Sequence, residues 1–345
     1  MKGAAMTYYI GLDAHSTTCT FVAMNRGGKK LSTIEIPTNE YHLGQYLKSL
    51  KGPKILTFEE SNLSRWLYVT LKPMVNELIV CAPQYLLRKR GAKTDLRDAS
   101  HLANELRLGS LIPVYHDECN YLIELRTMVK CYQNVVDETV RCKNRLKSIF
   151  RSQVISCKGT HIYNSPESID LLESSCDKFN ADVLFYQLGT LEEIKQRYLD
   201  FFHANTLKHK KLKQLTTIPG ISAVRAHVIA AITCDANRFK NKHHYWSYSM
   251  LVRHIQKSAK GVYGKVSSYG RSELKNTFMG AAIAQLRGTS EFRKYYDRLR
   301  TKGVGDRQAK KALARKTAAI ALSIMRTDKK YNDNWEVFEK KQVKA

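Results

Sequence analysis

The sequence predicts a multidomain chain: an α/β domain first, then a long helical insertion, then a basic, mainly α-helical C-terminal domain. Three observations predict it. Short apolar runs joined by tight turns crowd residues 8–36 and then alternate with helical patterns up to residue 114. Apolar residues next recur at three- and four-residue steps across residues 117–150. Charge is also divided unevenly. Residues 201–345 hold 31 Lys+Arg against 9 Asp+Glu, so +22 of the formal +26 lies there and only +4 in residues 1–200.

Taken in order, Tyr8-Tyr9-Ile10-Gly11-Leu12 is an apolar run ending at Asp13. Cys19–Met24 and Leu31–Ile36 are two further strands, with Gly27-Gly28 as the turn between them. A helix follows over 40–50, a strand over Ile55–Phe58 leading into Glu59-Glu60, a helix over 62–74 and a strand at Leu78–Val80. Pro83 suits a helical first turn, and Asp95–Leu108 reads as a helix. Three hairpin-linked strands followed by strand–helix alternation are the pattern of the ribonuclease H-like fold.

Leu122, Leu125, Val129, Tyr132, Val136, Leu146 and Phe150 then mark one long amphipathic helix, in coiled-coil style. Residues 151–166, with Gly159 and Pro166, read as a loop, and a second helix spans about 180–214. The two make an antiparallel hairpin, equally compatible with an internal bundle and with a dimerisation arm. The tight turn Thr216-Thr217-Ile218-Pro219-Gly220-Ile221-Ser222 opens an Ala-rich helix to about Thr233, and the segment from Leu215 onward reads as helical. The resulting division is 6–115, 116–211, 212–330 and a tail, 331–345.

So large a positive excess calls for a polyanionic partner, nucleic acid above all. The eight cysteines form no C-x-x-C pair, which argues against a zinc ribbon or a thioredoxin-type motif. With no secretory leader and no run of about eighteen apolar residues, the reading is a cytoplasmic protein with reduced thiols and no membrane partner.

The carboxylates carry the chemistry. Asp13 ends the first strand, Glu60 follows a later strand that can neighbour it, and Asp95 and Asp98 share a helix face three residues apart. Glu59 is an alternative inward residue to Glu60. Hard oxygen ligands converging on one cleft suit Mg²⁺ or Mn²⁺, ions that serve phosphodiester chemistry.

The same residues carry a resemblance. Tyr9-Ile10-Gly11-Leu12-Asp13-Ala14, Phe58-Glu59-Glu60-Ser61, Lys93-Thr94-Asp95-Leu96-Arg97-Asp98-Ala99 and Leu215-Thr216-Thr217-Ile218-Pro219-Gly220-Ile221 resemble, in order, the blocks of the DEDD insertion-sequence transposases, which include pilin-gene invertases. The resemblance implies a RuvC-like nuclease domain, a coiled-coil insertion and a C-terminal transposase domain. It implies metal ligands at Asp13, Glu60, Asp95 and Asp98 and a serine nucleophile that joins covalently to DNA. By position that serine is Ser258, although Ala259 follows it where the family pattern has Gly; Ser267 and Ser268 are the nearby alternatives. It further implies a homo-oligomer (dimer or tetramer), a bacterial or archaeal, nucleoid-associated setting and, for some members, a structured guide RNA that pairs with DNA.

A serine hydroxyl needs a base or a metal to attack phosphorus. Arg253, Lys257, Lys260, Lys265 and Arg271 surround Ser258 in sequence and are candidate phosphate contacts. Gly220 is a further nucleic-acid candidate, because Pro219-Gly220 resembles the turn of a helix-hairpin-helix. Tyr245, Trp246, Tyr248 and Tyr263 are read as core. Beside the transposase reading stand a RuvC-like nuclease or junction resolvase and a non-catalytic nucleic-acid-binding protein.

Overall fold

The computed structural model describes residues 6–82, 94–116, 121–258, 261–266, 270–327 and 329–332, and within 253–266 only the strand pairing. The helix start at Pro83, Lys93, Ala259, Lys260, Ser267, Ser268 and the tail from residue 333 lie outside the described residues. The chain divides into two compact units, Met1–Cys119 and Asn120–Ala345.

In the first unit, β1 (Tyr8–Ala14), β2 (Thr18–Met24) and β3 (Lys30–Pro37) form an antiparallel meander. Helix α1 (Glu40–Ser49) starts at Asn39, whose side chain accepts from the His42 N–H. Strand β4 (Lys54–Glu59) lies parallel to β1. Helix α2 (Ser64–Leu71) and a 3₁₀ turn (Lys72–Met74) lead to β5 (Glu77–Cys81), parallel to β4. After α3 (Asp95–Leu108), a short strand β6 (Pro113–Val114), absent from the sequence reading, pairs antiparallel with β5. The mixed six-stranded order β3-β2-β1-β4-β5-β6 agrees with a ribonuclease H-like domain.

The two sheet faces are covered differently. Ile10, Leu12, Leu56, Phe58 and Val80 pack with Leu43 and Leu47 of α1 and Leu67 and Leu71 of α2. On the opposite face, Val22 and Met24 meet Ala99 and Ala103 of α3. Gly11 sets that second contact. A Cβ there would stand 2.1 Å from the Ala99 carbonyl oxygen and 2.4 Å from the Ala103 nitrogen. Only glycine lets the α3 backbone come this close to the middle of β1.

In the second unit, α4 (Tyr121–Ser152) and α6 (Ser175–Lys208) run antiparallel. The Tyr121 hydroxyl donates to Asn205 at 2.8 Å, Lys143 pairs with Glu192 at 2.8 Å, and Gln153 donates to Asp177 at 2.7 Å. The connection is more ordered than the expected loop, since it carries α5 (His161–Asn164) and a 3₁₀ segment (Pro166–Leu171). Ile162 and Leu172 of this segment close a small core with Leu146, Phe150 and Ala181.

The other end of the helical pair merges into the main core. Leu125, Val129 and Phe202 pack with residues of α7 (Lys210–Leu215), α8 (Ala223–Thr233), α10 (Ser272–Gln285), α11 (Glu291–Thr301) and α12 (Asp306–Thr327). The predicted helix over 180–214 is two helices, because His209 takes an extended conformation that separates α6 from α7. Helix α9 (Lys242–Tyr248) places Tyr245 in this core, its hydroxyl 2.8 Å from that of Thr233. Trp246 and Tyr248 pack on the core's edge, in keeping with their reading as core aromatics.

The C-terminal segment is mainly helical, as expected, with one exception. The segment after Leu215 is not uniformly helical: β7 (Arg253–Ser258) and β8 (Gly261–Val266) form a two-stranded antiparallel sheet. The run Arg-His-Ile-Gln-Lys-Ser has one aliphatic residue and no period-two alternation, so the pattern rule has nothing to register.

Candidate functional site

The acidic site grows from the contact between β1 and α3. Asp13 lies near the C-terminal end of β1, two residues beyond Gly11 and therefore on the α3 side of the sheet. Thr94 caps α3, its hydroxyl accepting from the Arg97 N–H. This fixes the first turn, which carries Asp95 and Asp98 where the helix dipole favours negative charge. The contact at Gly11 brings that first turn to the end of β1.

His15 completes a tight group that the sequence reading missed. Its Nε2 is 3.5 Å from Asp13 Oδ2 and 3.6 Å from Asp95 Oδ1. One ligand atom from each of Asp13, His15 and Asp95 lies within 4.8 Å of the others. Asp98 and Glu60 stand outside this tightest set. Asp98 is nevertheless near enough for its charge to act on Asp13.

Burial pushes the Asp13 carboxyl above its ordinary range; His15 pulls it down, and Asp95 and Asp98 push it up again. Such a cluster is short of positive charge, and a cation would relieve it. Its donors, carboxylate oxygens and one imidazole nitrogen, fit a divalent ion.

The strand register bears on the glutamates. Gly11 faces Thr57 and Leu12 faces Phe58 across the parallel β1–β4 pair. One step further along, Glu59 comes level with Asp13 on the face of Thr57 and Gly11. Glu59 also pairs with Cys81 of β5 and helps raise that thiol, which burial pushes up to about 12. Glu60 lies just past the strand, its N–H bonded to the Cys81 carbonyl at 2.8 Å.

The basic candidates all lie in the second unit. Ser258 ends β7 opposite Gly261; Arg253 pairs with Val266, Lys257 with Val262 and His254 with Lys265. Arg271 precedes α10, its N–H bonded to the Tyr248 carbonyl at 2.7 Å. Gly220 has a left-handed φ of 79°, and a Cβ there would stand 2.7 Å from the Ala281 carbonyl oxygen of α10. The turn is held by its carbonyls: Gln285 donates to Pro219 and the Arg225 guanidinium to Gly220, each at 2.7 Å.

Comparison with known proteins decides the family. Residues 10–154 match the DEDD-type IS110 model described as "Transposase", and residues 212–297 match "Transposase IS116/IS110/IS902 family". The chain belongs to the IS110 family of insertion-sequence transposases. It is also 22% identical over 379 residues to the "Insertion element IS110 uncharacterized 43.6 kDa protein" of Streptomyces coelicolor (strain ATCC BAA-471 / A3(2) / M145), covering 92% of this chain and 94% of that protein. The first family match of this IS110-family chain contains Asp13, Glu59, Glu60, Asp95 and Asp98. The second contains Gly220, Ser258 and the basic residues around it.

The sequence reading passed over two residues of the site. His15 has a readable signal, since it lies two residues beyond Asp13 and shares its face. Gly11 was visible only as part of an apolar run, because a helix landing on it is a tertiary fact.

Proposed function

We propose that this transposase cuts and rejoins DNA with a serine nucleophile served by a divalent-cation site. The site is held by Asp13, Asp95, Asp98 and a glutamate, Glu60 or its neighbour Glu59. The observation that carries this reading is the convergence of Asp13 and Asp95 on one another, with the raised Asp13 carboxyl, in a chain matched by transposase models at both ends. The strand register favours Glu59, and Glu60 remains the reading taken from the sequence blocks.

A bound Mg²⁺ or Mn²⁺ supplies charge neutralisation and activation of an attacking oxygen. The chain supplies the rest. The Ser258 hydroxyl loses its proton and its oxygen attacks phosphorus. A P–O bond to a deoxyribose oxygen breaks, and that oxygen leaves as a hydroxyl. The phosphoserine diester conserves the bond energy, so a second strand's hydroxyl can displace the serine and rejoin DNA without a high-energy cofactor. Gly220, Arg253, Lys257, Lys260, Lys265 and Arg271 hold phosphates around this step.

DNA is the substrate, and a structured guide RNA is a further partner that the +22 excess of residues 201–345 suits equally well. Self-association into a dimer or tetramer has support on α6, where Phe179, Val183 and Tyr186, spaced four and three residues apart, are 68%, 49% and 81% exposed. A stand-alone nuclease reading leaves the second family match without a role.

The test is strand cleavage of the element's own DNA ends with purified protein and Mg²⁺ or Mn²⁺. Asp13→Ala and Asp98→Ala should each abolish cleavage, and Glu59→Gln against Glu60→Gln identifies the glutamate. Full cleavage by Asp13→Ala would refute the reading.

A further inference from the structure

The carboxylate reading leaves one side chain of the group without a role. His15 belongs to the turn between β1 and β2, and its backbone is clamped. Its N–H donates to the Thr18 carbonyl at 2.9 Å, and its carbonyl accepts from the Thr38 hydroxyl at 2.8 Å. The Thr38 N–H in turn donates to the Thr17 carbonyl at 2.9 Å, which ties the turn to the end of β3. The imidazole is therefore presented from a braced turn rather than a loose loop.

Its Nε2 lies within 4.8 Å of a carboxylate oxygen of Asp13 and of Asp95. The Nε2 contacts, 3.5 Å to Asp13 and 3.6 Å to Asp95, are long for hydrogen bonds. They are close to the spacing of donors around one ion: ligands about 2.1 Å from a cation stand roughly 3.0–3.4 Å apart in octahedral or tetrahedral geometry. A contraction of a few tenths of an ångström would bring Nε2 to ligand spacing from each carboxylate, and all three donor atoms lie within 4.8 Å of one another. More than half of the His15 side chain is exposed, which leaves the outer positions open to water or a phosphate oxygen.

We propose that His15 Nε2 is a direct ligand of the cation held by Asp13 and Asp95, making this a mixed nitrogen–oxygen centre that favours first-row transition ions such as Mn²⁺ over Mg²⁺. The inference rests on the carboxylate reading and goes beyond it. An all-carboxylate site has no nitrogen to offer, and Mg²⁺ prefers oxygen donors where imidazole suits later ions. The bound ring is neutral, with its proton on Nδ1 and the Nε2 lone pair on the metal.

The test is pulsed electron paramagnetic resonance of Mn²⁺ bound to the full chain without nucleic acid, read beside Mn²⁺ and Mg²⁺ titrations. Wild-type protein should show imidazole ¹⁴N coupling, lost in His15→Gln and in Asp13→Asn. His15→Gln should weaken Mn²⁺ binding about tenfold or more and Mg²⁺ binding by less than about threefold. His15→Ala is the second variant, and circular dichroism establishes that each is folded. Mn²⁺ binding that needs Asp13 but shows no imidazole coupling, or coupling that persists without His15, overturns the His15 assignment and leaves the carboxylate reading standing. Mn²⁺ binding indifferent to Asp13, or absent altogether, overturns both.

Discussion

Gly11 and Gly220 use one device in the two units. Each lets backbone approach a helix where a Cβ would collide with a carbonyl oxygen, at 2.1 Å for Gly11 and 2.7 Å for Gly220. The consequences differ. At Gly11 the approach delivers α3, with Asp95 and Asp98 in its first turn, to the end of β1, so the packing of the first unit and its acidic site are one feature. At Gly220 the approach fastens the turn before α8 onto α10. The candidate nucleophile lies elsewhere, on a two-stranded sheet whose strands, among the described residues, pair only with each other. Loss of the Gly11 packing is therefore expected to take the acidic site with it, whereas loss of the Ser258 hydroxyl is expected to leave the second unit's framework in place.

The largest expected effect breaks the first half of that comparison. Gly11→Val drives side-chain carbons into the α3 backbone, which overpacking raises to a cost of about 3 kcal/mol or more. Thermal unfolding should show the loss, and Mn²⁺ binding should vanish with it. Gly220→Ala combines a left-handed φ with a backbone clash and should cost about 1–3 kcal/mol, read from the same unfolding curve, while Mn²⁺ binding at the first unit persists. Retention of wild-type stability in either variant would show that the helix can step away from its glycine.

A smaller effect probes the acidic site itself. The Asp13 carboxyl is raised in the folded chain. Its contribution to stability is therefore fully present below the ordinary aspartate range and lost as pH rises through the raised folded value. Metal-free Asp13→Asn should then melt above wild type at neutral pH, and the gap should narrow as pH falls toward the carboxylate range. A metal-free wild type that outlasts the variant at neutral pH would contradict the upward shift of the Asp13 carboxyl. The smallest stability effect belongs to Phe179→Glu with Tyr186→Glu. On these exposed positions the pair should leave the melting temperature nearly unchanged, within about 0.5 kcal/mol per site, while light scattering shows a smaller assembly.

The first unit was largely legible because its signals are local. The alternating runs fell on β1 to β5, and Asp95–Leu108 matches α3, whose ends carry Thr94 as cap and Gly109 in the left-handed conformation. The acids Asp13, Asp95 and Asp98 could be named because they sit where strands end and helices begin. His15 was missed although its spacing from Asp13 was in plain view. The case for Glu59 beside Glu60 needed the register against β1, which no single strand carries. In the second unit the long α4 announced itself by period, but the break at His209, the small core around Ile162 and the β7–β8 pair depend on tertiary contacts or, for β7, on a strand with little apolar content. Ser258 owes its candidacy to resemblance rather than to any local pattern.

The most direct test of the division of labour is to trap the covalent protein–DNA intermediate with Mn²⁺ and map it by peptide mass spectrometry. The account predicts a nucleotide adduct on Ser258, absent in Ser258→Ala and in Asp13→Ala, with Mn²⁺ binding by Ser258→Ala unchanged. An adduct on another residue, or recombination undiminished in Ser258→Ala, would contradict it.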